Sequence, residues 1–190
     1  MIKYIHIGYP KNFSTSLQRD YFSKHPELFH LGIGVDHNLG YKNNFIEKTL
    51  EVYLKSCKYF KYKEVENSII DHFQNVFKDA KTKNFKAVGI SGEHLGFAFT
   101  HDGLSSKEKA ERLFNIFGPD TKIIMIVRNQ FDLIKSLYRE FVRVGFAGDF
   151  SLFIELLYRY QDRNFIYDFR YDYMYDTYIK LFGVDNVNVF

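Results

Sequence analysis

The chain has 190 residues, 46% of them hydrophobic, as in a single globular domain rather than a disordered or fibrous chain. A formal net charge of +3 gives no reason to expect nucleic acid as a partner, although it suits an anionic ligand. One cysteine, Cys57, excludes an intrachain disulfide, and no aliphatic run approaches the ~20 residues that span a bilayer, so we expect a cytoplasmic protein without a transmembrane segment.

The first twenty residues predict a strand, a turn and a helix. Ile2–Ile7 is a short apolar run that ends at Gly8, as a buried strand does. Thr15 and Gln18 have the spacing of a capping box, which predicts that the first helix starts there.

Helices and strands alternate along the rest of the chain. Apolar residues repeat every three or four positions over 43–61, which predicts one helix with Cys57 on its buried face. Ser105 and Glu108 form a second capping-box pattern, whose helix ends at Gly118. The remaining predicted elements are a helix from Val65 to Phe77, strands over 87–90, 122–127 and 187–190, and helices over 131–144, 151–161 and 172–182.

This alternation predicts an α/β fold in which a central parallel sheet is covered by helices on both faces, a three-layer sandwich. We expect one domain over residues 1–190. Because the chain stops inside or just after a strand, we also expect that the C-terminal part of this domain is missing. The sequence leaves the oligomeric state open.

The turn after the first strand has the composition of a phosphate-binding loop. Ligands of α/β sheets bind at the carboxyl ends of strands, where the start of the next helix offers free backbone N–H groups. Lys11 adds a positive charge, and three hydroxyls follow at Ser14, Thr15 and Ser16. The spacing differs from Gly-x-x-x-x-Gly-Lys-Ser/Thr, because the lysine precedes the hydroxyls and a second glycine is absent, which disfavours ATP or GTP hydrolysis.

The segment Pro10-Lys11-Asn12-Phe13-Ser14-Thr15-Ser16-Leu17 resembles the 5′-phosphosulfate loop of sulfotransferases that use 3′-phosphoadenosine-5′-phosphosulfate (PAPS). That loop has the pattern Pro-Lys-Ser/Thr-Gly-Thr-Thr-x-Leu. Phe13 stands where the family usually has glycine. A phenylalanine does not easily adopt positive φ, so we expect Phe13 to disturb the loop.

A second motif follows the strand over 122–127. Arg128-Asn129-Gln130-Phe131-Asp132 leads into Ser136 and Tyr138, which resembles the 3′-phosphate motif of the same family, with Gln130 where a proline is common. Arginine and a hydroxyl suit a dianionic phosphate. Looser similarities, which favour the bacterial-type branch of the family, occur at His25–Leu28, Ser91–Glu93 and Phe182–Val187.

The resemblance implies a P-loop NTPase-like sulfotransferase fold, PAPS as co-substrate and PAP, its desulfated form, as product. It implies that Lys11 stabilises the charge of the leaving group, and that loop residues Lys11–Ser16 bind the 5′-phosphosulfate. It further implies that Arg128 and Ser136 bind the 3′-phosphate. The acceptor would be a hydroxyl of a carbohydrate, a lipid headgroup or a small metabolite.

The sequence offers several candidates for the general base. Glu93 and His94, at the end of an inner strand, are preferred, and Asp36 and His37 are alternatives. His6 has the position of a core histidine and His101 that of a loop residue. Tyr9, Phe97 and Phe99 either line an acceptor cleft or belong to the core.

Two other functions stay open at this point. One is a non-catalytic descendant of the family that binds PAP or another nucleotide. The other is a P-loop-like kinase, for which tighter binding of Mg-ATP than of PAP would be the mark.

Overall fold

The computed structural model describes residues 1–35, 39–97, 103–161 and 166–190. Its strands are β1 (Ile2–Gly8), β2 (Leu28–His30), β3 (Gly32–Val35), β4 (Gly40–Tyr41), β5 (Ala87–Gly92), β6 (Thr121–Ile126) and β7 (Val187–Val189). Five of them form a parallel sheet in the order β2-β5-β1-β6-β7, while β3 and β4 form a separate antiparallel pair.

Within the described residues, seven helices connect the strands. They are α1 (Ser14–Ser16, continued as a π-helix over Leu17–Phe22), α2 (Asn44–Lys48, continued as a π-helix over Thr49–Tyr53), α3 (Tyr59–Thr82), α4 (Ser106–Phe117), α5 (Gln130–Arg143), α6 (Phe150–Arg159) and α7 (Tyr171–Phe182). Short 3-10 turns lie at Glu93–Leu95, Tyr167–Phe169 and Val184–Asn186. Within the described ranges, no helix combines the length and apolar character that crossing a bilayer requires.

The central strand β1 is buried on both faces and so divides the core in two. Ile5 and Ile7 belong to the larger cluster, which also contains apolar residues of α3 to α7. Tyr4 belongs to the second cluster with Phe22, beneath the first helix, and His6 points to the same face, since its ring lies 5.4 Å from that of Phe22. This arrangement confirms the α/β fold with a parallel central sheet.

Two local predictions are wrong. The first helix begins at Ser14, not at a capping box formed by Thr15 and Gln18, because Phe13 is its N-cap. Thr15 lies inside the first turn, and Gln18 donates from Nε2 to Ser91 Oγ at 2.9 Å. The capping box at Ser105 and Glu108, by contrast, is confirmed.

The single helix predicted over 43–61 is broken in the structure. The first part ends at Tyr53, whose carbonyl oxygen accepts a hydrogen bond from the buried guanidinium of Arg112. The next helix, α3, starts only at Tyr59. Cys57 is buried as expected, but it lies in the break between the two helices.

Candidate active site

The register of the sheet brings three strand ends to one edge. Ile7 pairs with Gly92 of β5 and with Met125 of β6, and Gly8 pairs with Ile126. The loop from Tyr9 to Phe13 therefore leaves the middle of the sheet, with the turn after β5 on one side and the start of α5 on the other. This is the edge at which parallel α/β sheets bind ligands.

Two residues of this loop adopt left-handed backbone conformations, Lys11 with φ 64° and Phe13 with φ 61°. Such angles cost a non-glycine residue about 1–2 kcal/mol. Phe13 nevertheless adopts them, and its ring is 81% exposed. Phe13 thus has the positive φ that a glycine adopts freely, at a cost in backbone strain, and its side chain turns out to solvent instead of into the loop.

Asn12 fastens the loop to the sheet. Its side chain is only 2% exposed, and its Nδ2 donates to the carbonyl of Ile126 at 2.8 Å. The Asn12 side chain, predicted to contact the cofactor, therefore lies beneath the loop. This contact helps to hold the strained turn between β1 and β6.

The first helix opens without a side-chain cap, since Phe13 cannot supply one. Its first helical hydrogen bond runs from Leu17 N–H to the Phe13 carbonyl at 3.1 Å. The N–H groups of the first turn point out of the helix and remain suited to an anion. Thr15 and Ser16 are exposed beside them, whereas Ser14 is buried.

Both predicted cations meet at this loop. Arg128 Nη1 donates to the carbonyl oxygen of Lys11 at 2.9 Å, and Lys11 Nζ lies 3.0 Å from Glu140 Oε2 of α5. Ser136 is half-buried and one helical turn before Glu140, so the two side chains share a face of α5. The structure thus brings Arg128 to the loop beside Lys11, and it places Ser136 on the face of α5 that carries the partner of Lys11.

Glu93 lies on the other side of the loop, packed against Gly8. A Cβ atom on Gly8 would stand 2.8 Å from Ser14 Oγ and 3.5 Å from Glu93 Cγ. Burial raises the pKa of Glu93 above its ordinary value, an effect opposed by a hydrogen bond from Ser14 and by the charge of Lys11. A carboxylate with a raised pKa is a stronger base than a free one.

His94 faces away from the loop. Its Nε2 lies 3.0 Å from the carbonyl oxygen of Leu50, and because a carbonyl only accepts, this nitrogen carries the proton and donates it. Burial lowers the pKa of His94 to about 4, so the ring is neutral. This bond fixes the ring against α2, on the far side of the turn that carries Glu93.

Sequence reasoning missed a set of buried polar contacts beneath the loop. Ser91 Oγ lies 2.7 Å from Nδ1 of the fully buried His6 and accepts from Gln18. Lys109 of α4, 1% exposed, donates to the carbonyls of His94 at 2.6 Å and Phe97 at 3.0 Å. Lys109 lies only two positions after Lys107, the exposed lysine of the same helix.

Glu140, the partner of Lys11, was also missed. Its position four residues after Ser136 was the available signal, because it predicts a shared helical face. Among the other predicted positions, Tyr9 and Phe97 are each 1% exposed and belong to the core. The predictions for Asp36, His37, Phe99 and His101 concern residues outside the described ranges.

Comparison with known proteins supports the fold. No family model matches the chain, and no curated protein matches it either. Among solved structures, a sulfotransferase from Alicyclobacillus acidocaldarius is similar, with a TM-score of 0.58 and 20% identity. The similarity covers 100% of this chain and 72% of the other. The chain therefore has a sulfotransferase-like fold.

Proposed function

We propose that the protein is a PAPS-dependent sulfotransferase that moves a sulfuryl group to an acceptor hydroxyl. The observation that carries this proposal is the contact of Arg128 with the Lys11 carbonyl beside an uncapped helix start at the carboxyl edge of the sheet. Ser136 lies one turn before Glu140, the partner of Lys11, on the same face of α5. A ligand with a phosphate at each end matches two cations from two different strand ends better than a single phosphate does. The sulfotransferase-like fold supports the same reading.

The residues fit such a ligand at its 5′ end. A Cβ atom on Gly8 would stand 2.8 Å from Ser14 Oγ, so residue 8 has no room for a side chain. The main chain at Gly8 therefore packs closely against the start of the first helix. Lys11, Thr15, Ser16 and the N–H groups of the first helical turn would hold the 5′-phosphosulfate. The backbone of Asn12 and Phe13 would contribute to this loop, while the Asn12 side chain supports it from below.

The 3′ end would be held from the side of β6. The exposed guanidinium of Arg128 would bind the 3′-phosphate, with the hydroxyl of Ser136 as a second donor. The bond from Arg128 to the Lys11 carbonyl links the two halves of the site, because it sets the distance between the guanidinium and the loop.

Transfer needs a base and charge stabilisation. PAPS supplies the sulfuryl group, whose bond to the 5′-phosphate oxygen breaks as a bond to the acceptor oxygen forms. We propose that Glu93 accepts the proton of the acceptor hydroxyl, because its raised pKa suits a general base. His94 is not assigned this role, because its Nε2 already donates to Leu50. Lys11 would stabilise the charge that develops on the leaving phosphate.

Calorimetric titration with PAP, AMP and Mg-ATP tests the proposal. We expect tighter binding of PAP than of AMP, since only PAP carries a 3′-phosphate, and we expect transfer from PAPS to a panel of carbohydrate, lipid and small-molecule hydroxyls. PAP binding with no transfer to any acceptor would indicate a non-catalytic descendant. Preference for Mg-ATP would indicate a kinase and contradict the proposal.

A further inference from the structure

The ammonium group assigned to the 5′-phosphosulfate already has a carboxylate partner in the protein. Lys11 Nζ lies 3.0 Å from Glu140 Oε2, and both side chains are partly exposed, at 41% and 32%. Glu140 also accepts from Nε of Arg143 at 3.1 Å. The carboxylate thus stands between a lysine of the loop and an arginine of its own helix.

This ion pair joins the loop to α5, because Lys11 lies in the loop and Glu140 in the helix. The main chain of Lys11 is held in place, because Arg128 donates to its carbonyl oxygen at 2.9 Å. Glu140 belongs to the face of α5 that also carries Ser136, one turn closer to Arg128. An anion that approaches Lys11 therefore also approaches the carboxylate of Glu140.

Two features keep this carboxylate charged while Lys11 changes partner. A glutamate side chain is ordinarily ionised near neutral pH, and the hydrogen bond from Arg143, which does not involve Lys11, holds the pKa of Glu140 lower still. If Lys11 turns to a phosphate, Arg143 remains as a partner of Glu140. The exchange therefore leaves no isolated carboxylate behind.

We infer that Glu140 is an internal competitor for the anionic group that Lys11 binds, and that it lowers the affinity of the loop for the 5′ end of the nucleotide. This inference rests on the proposed function. Exposed ion pairs are weak, so removal of the Glu140 charge should tighten binding by about two- to fivefold. The effect should appear equally with PAP and AMP, because both carry a 5′-phosphate.

The test compares Glu140→Gln with Glu155→Gln in the whole chain. Glu155 on α6 pairs with Arg159 four residues later, so its variant makes the same change in net charge away from the loop. Calorimetric titrations with PAP and AMP at low and high salt would give the dissociation constants. We expect Glu140→Gln to bind both nucleotides two- to fivefold more tightly at low salt, with a smaller difference at high salt, and Glu155→Gln to match the wild type.

Each other outcome has a definite meaning. Equal affinity of the two variants would overturn the inference while leaving the proposed function intact. Weaker binding by Glu140→Gln would also overturn it, because the carboxylate would then position Lys11 for the ligand. Nucleotide binding by Glu140→Gln, with none detected for the wild type or for Glu155→Gln, would support the inference most strongly. No PAP binding by any of the three proteins would refute the proposed function and this inference together.

Discussion

The two sides of the loop from Tyr9 to Phe13 are built differently. Towards β5 the polar groups are buried and fixed: His6 with Ser91, His94 with Leu50, and Lys109 with two main-chain carbonyls. Towards β6 and α5, apart from the buried Asn12, the side chains of Lys11, Arg128 and Glu140 are charged and at least partly exposed, and their partners are other side chains or the loop itself.

This difference assigns separate tasks to the two sides. Buried polar groups that lose a partner cost free energy, so the β5 side is set when the chain folds and changes little afterwards. Exposed ion pairs contribute little to stability and can be exchanged for a ligand. We therefore expect changes on the β5 side to alter the free energy of unfolding, and changes on the α5 side to alter ligand affinity.

Acidification should give the largest effect, and it should act through the β5 side. Burial lowers the pKa of His6, His30 and His94 to about 4. In the unfolded chain these rings titrate near pH 6.5, so below that pH the unfolded state binds more protons and stability falls until about pH 4. At about 1.4 kcal/mol per pKa unit, each ring should lower the free energy of unfolding by on the order of 3 kcal/mol between pH 6.5 and pH 4.

Chemical denaturation between pH 4 and 7.5 would measure this loss. In His94→Gln the amide can still donate to the Leu50 carbonyl, and the slope below pH 6.5 should decrease by up to about a third, since one of the three rings whose pKa is lowered to about 4 is gone. A free energy of unfolding that stays constant down to pH 4 would show that the rings are not held neutral.

Lys109 offers the next largest effect on the same side. Lys109→Met removes the donor to the carbonyls of His94 and Phe97, and we expect a loss of about 1–3 kcal/mol at pH 7. Burial also lowers the pKa of Lys109 to about 8, below its unfolded value. The unfolded chain therefore holds this proton more tightly above pH 8, and the advantage of the wild type over Lys109→Met should grow towards pH 10.

Lys107→Met is the matched control for this change, because Lys107 is exposed on the same helix. It should alter the free energy of unfolding by less than about 0.5 kcal/mol. Equal effects of the two substitutions, measured by urea denaturation, would mean that the contacts of Lys109 add nothing to stability.

On the charged side, Arg128→Ala should change affinity more than stability. We expect PAP binding to weaken about tenfold or more, because a charge-assisted contact to the 3′-phosphate is lost, and AMP binding to weaken much less. Arg139→Ala, an exposed arginine of α5, is the control. Calorimetric titration would measure both ligands, and an equal loss for PAP and AMP would count against the role of Arg128.

Much of the fold could be predicted because the pattern of apolar residues decides it. The runs at Ile2–Ile7, Ala87–Ile90 and 122–127 are strands of one parallel sheet, and the helices from α3 onwards follow their apolar repeats. The break after Tyr53 could not be predicted, because the apolar repeat runs on through it and the partner of the Tyr53 carbonyl, Arg112, is almost sixty residues away in the chain. Short β2, β3 and β4 have too few residues to show a period.

The site was predictable only in part, for a related reason. The positions of Lys11, Arg128 and Ser136 follow from strand ends and motif spacing. The partners of those residues depend on how helices pack: Glu140 meets Lys11 only because α5 lies beside the loop, and His94 turns to α2 although its neighbour Glu93 faces Gly8. Side-chain direction at the end of a strand is set by such contacts.

Phe13→Gly gives the smallest expected effect and tests the loop that joins the two sides. Phe13 has φ 61° and its ring is 81% exposed, so glycine should relieve backbone strain while little packing is lost. We expect a gain of about 0.5–1 kcal/mol in the free energy of unfolding, and PAP affinity equal to that of the wild type, because the N–H groups of the loop keep their places.

Asn84→Gly is the matched control for Phe13→Gly, since Asn84 has the same φ of 61° at the end of α3. Asparagine tolerates left-handed angles better than phenylalanine does, so the gain at position 84 should be smaller. Thermal and urea denaturation would measure both variants. A loss of stability in Phe13→Gly would mean that contacts of the exposed ring stabilise the loop by more than the backbone strain at Phe13 costs. A gain accompanied by weaker PAP binding would mean that the strained turn is what keeps the N–H groups aligned, which would make the loop as fixed a part of the site as the buried contacts beneath it.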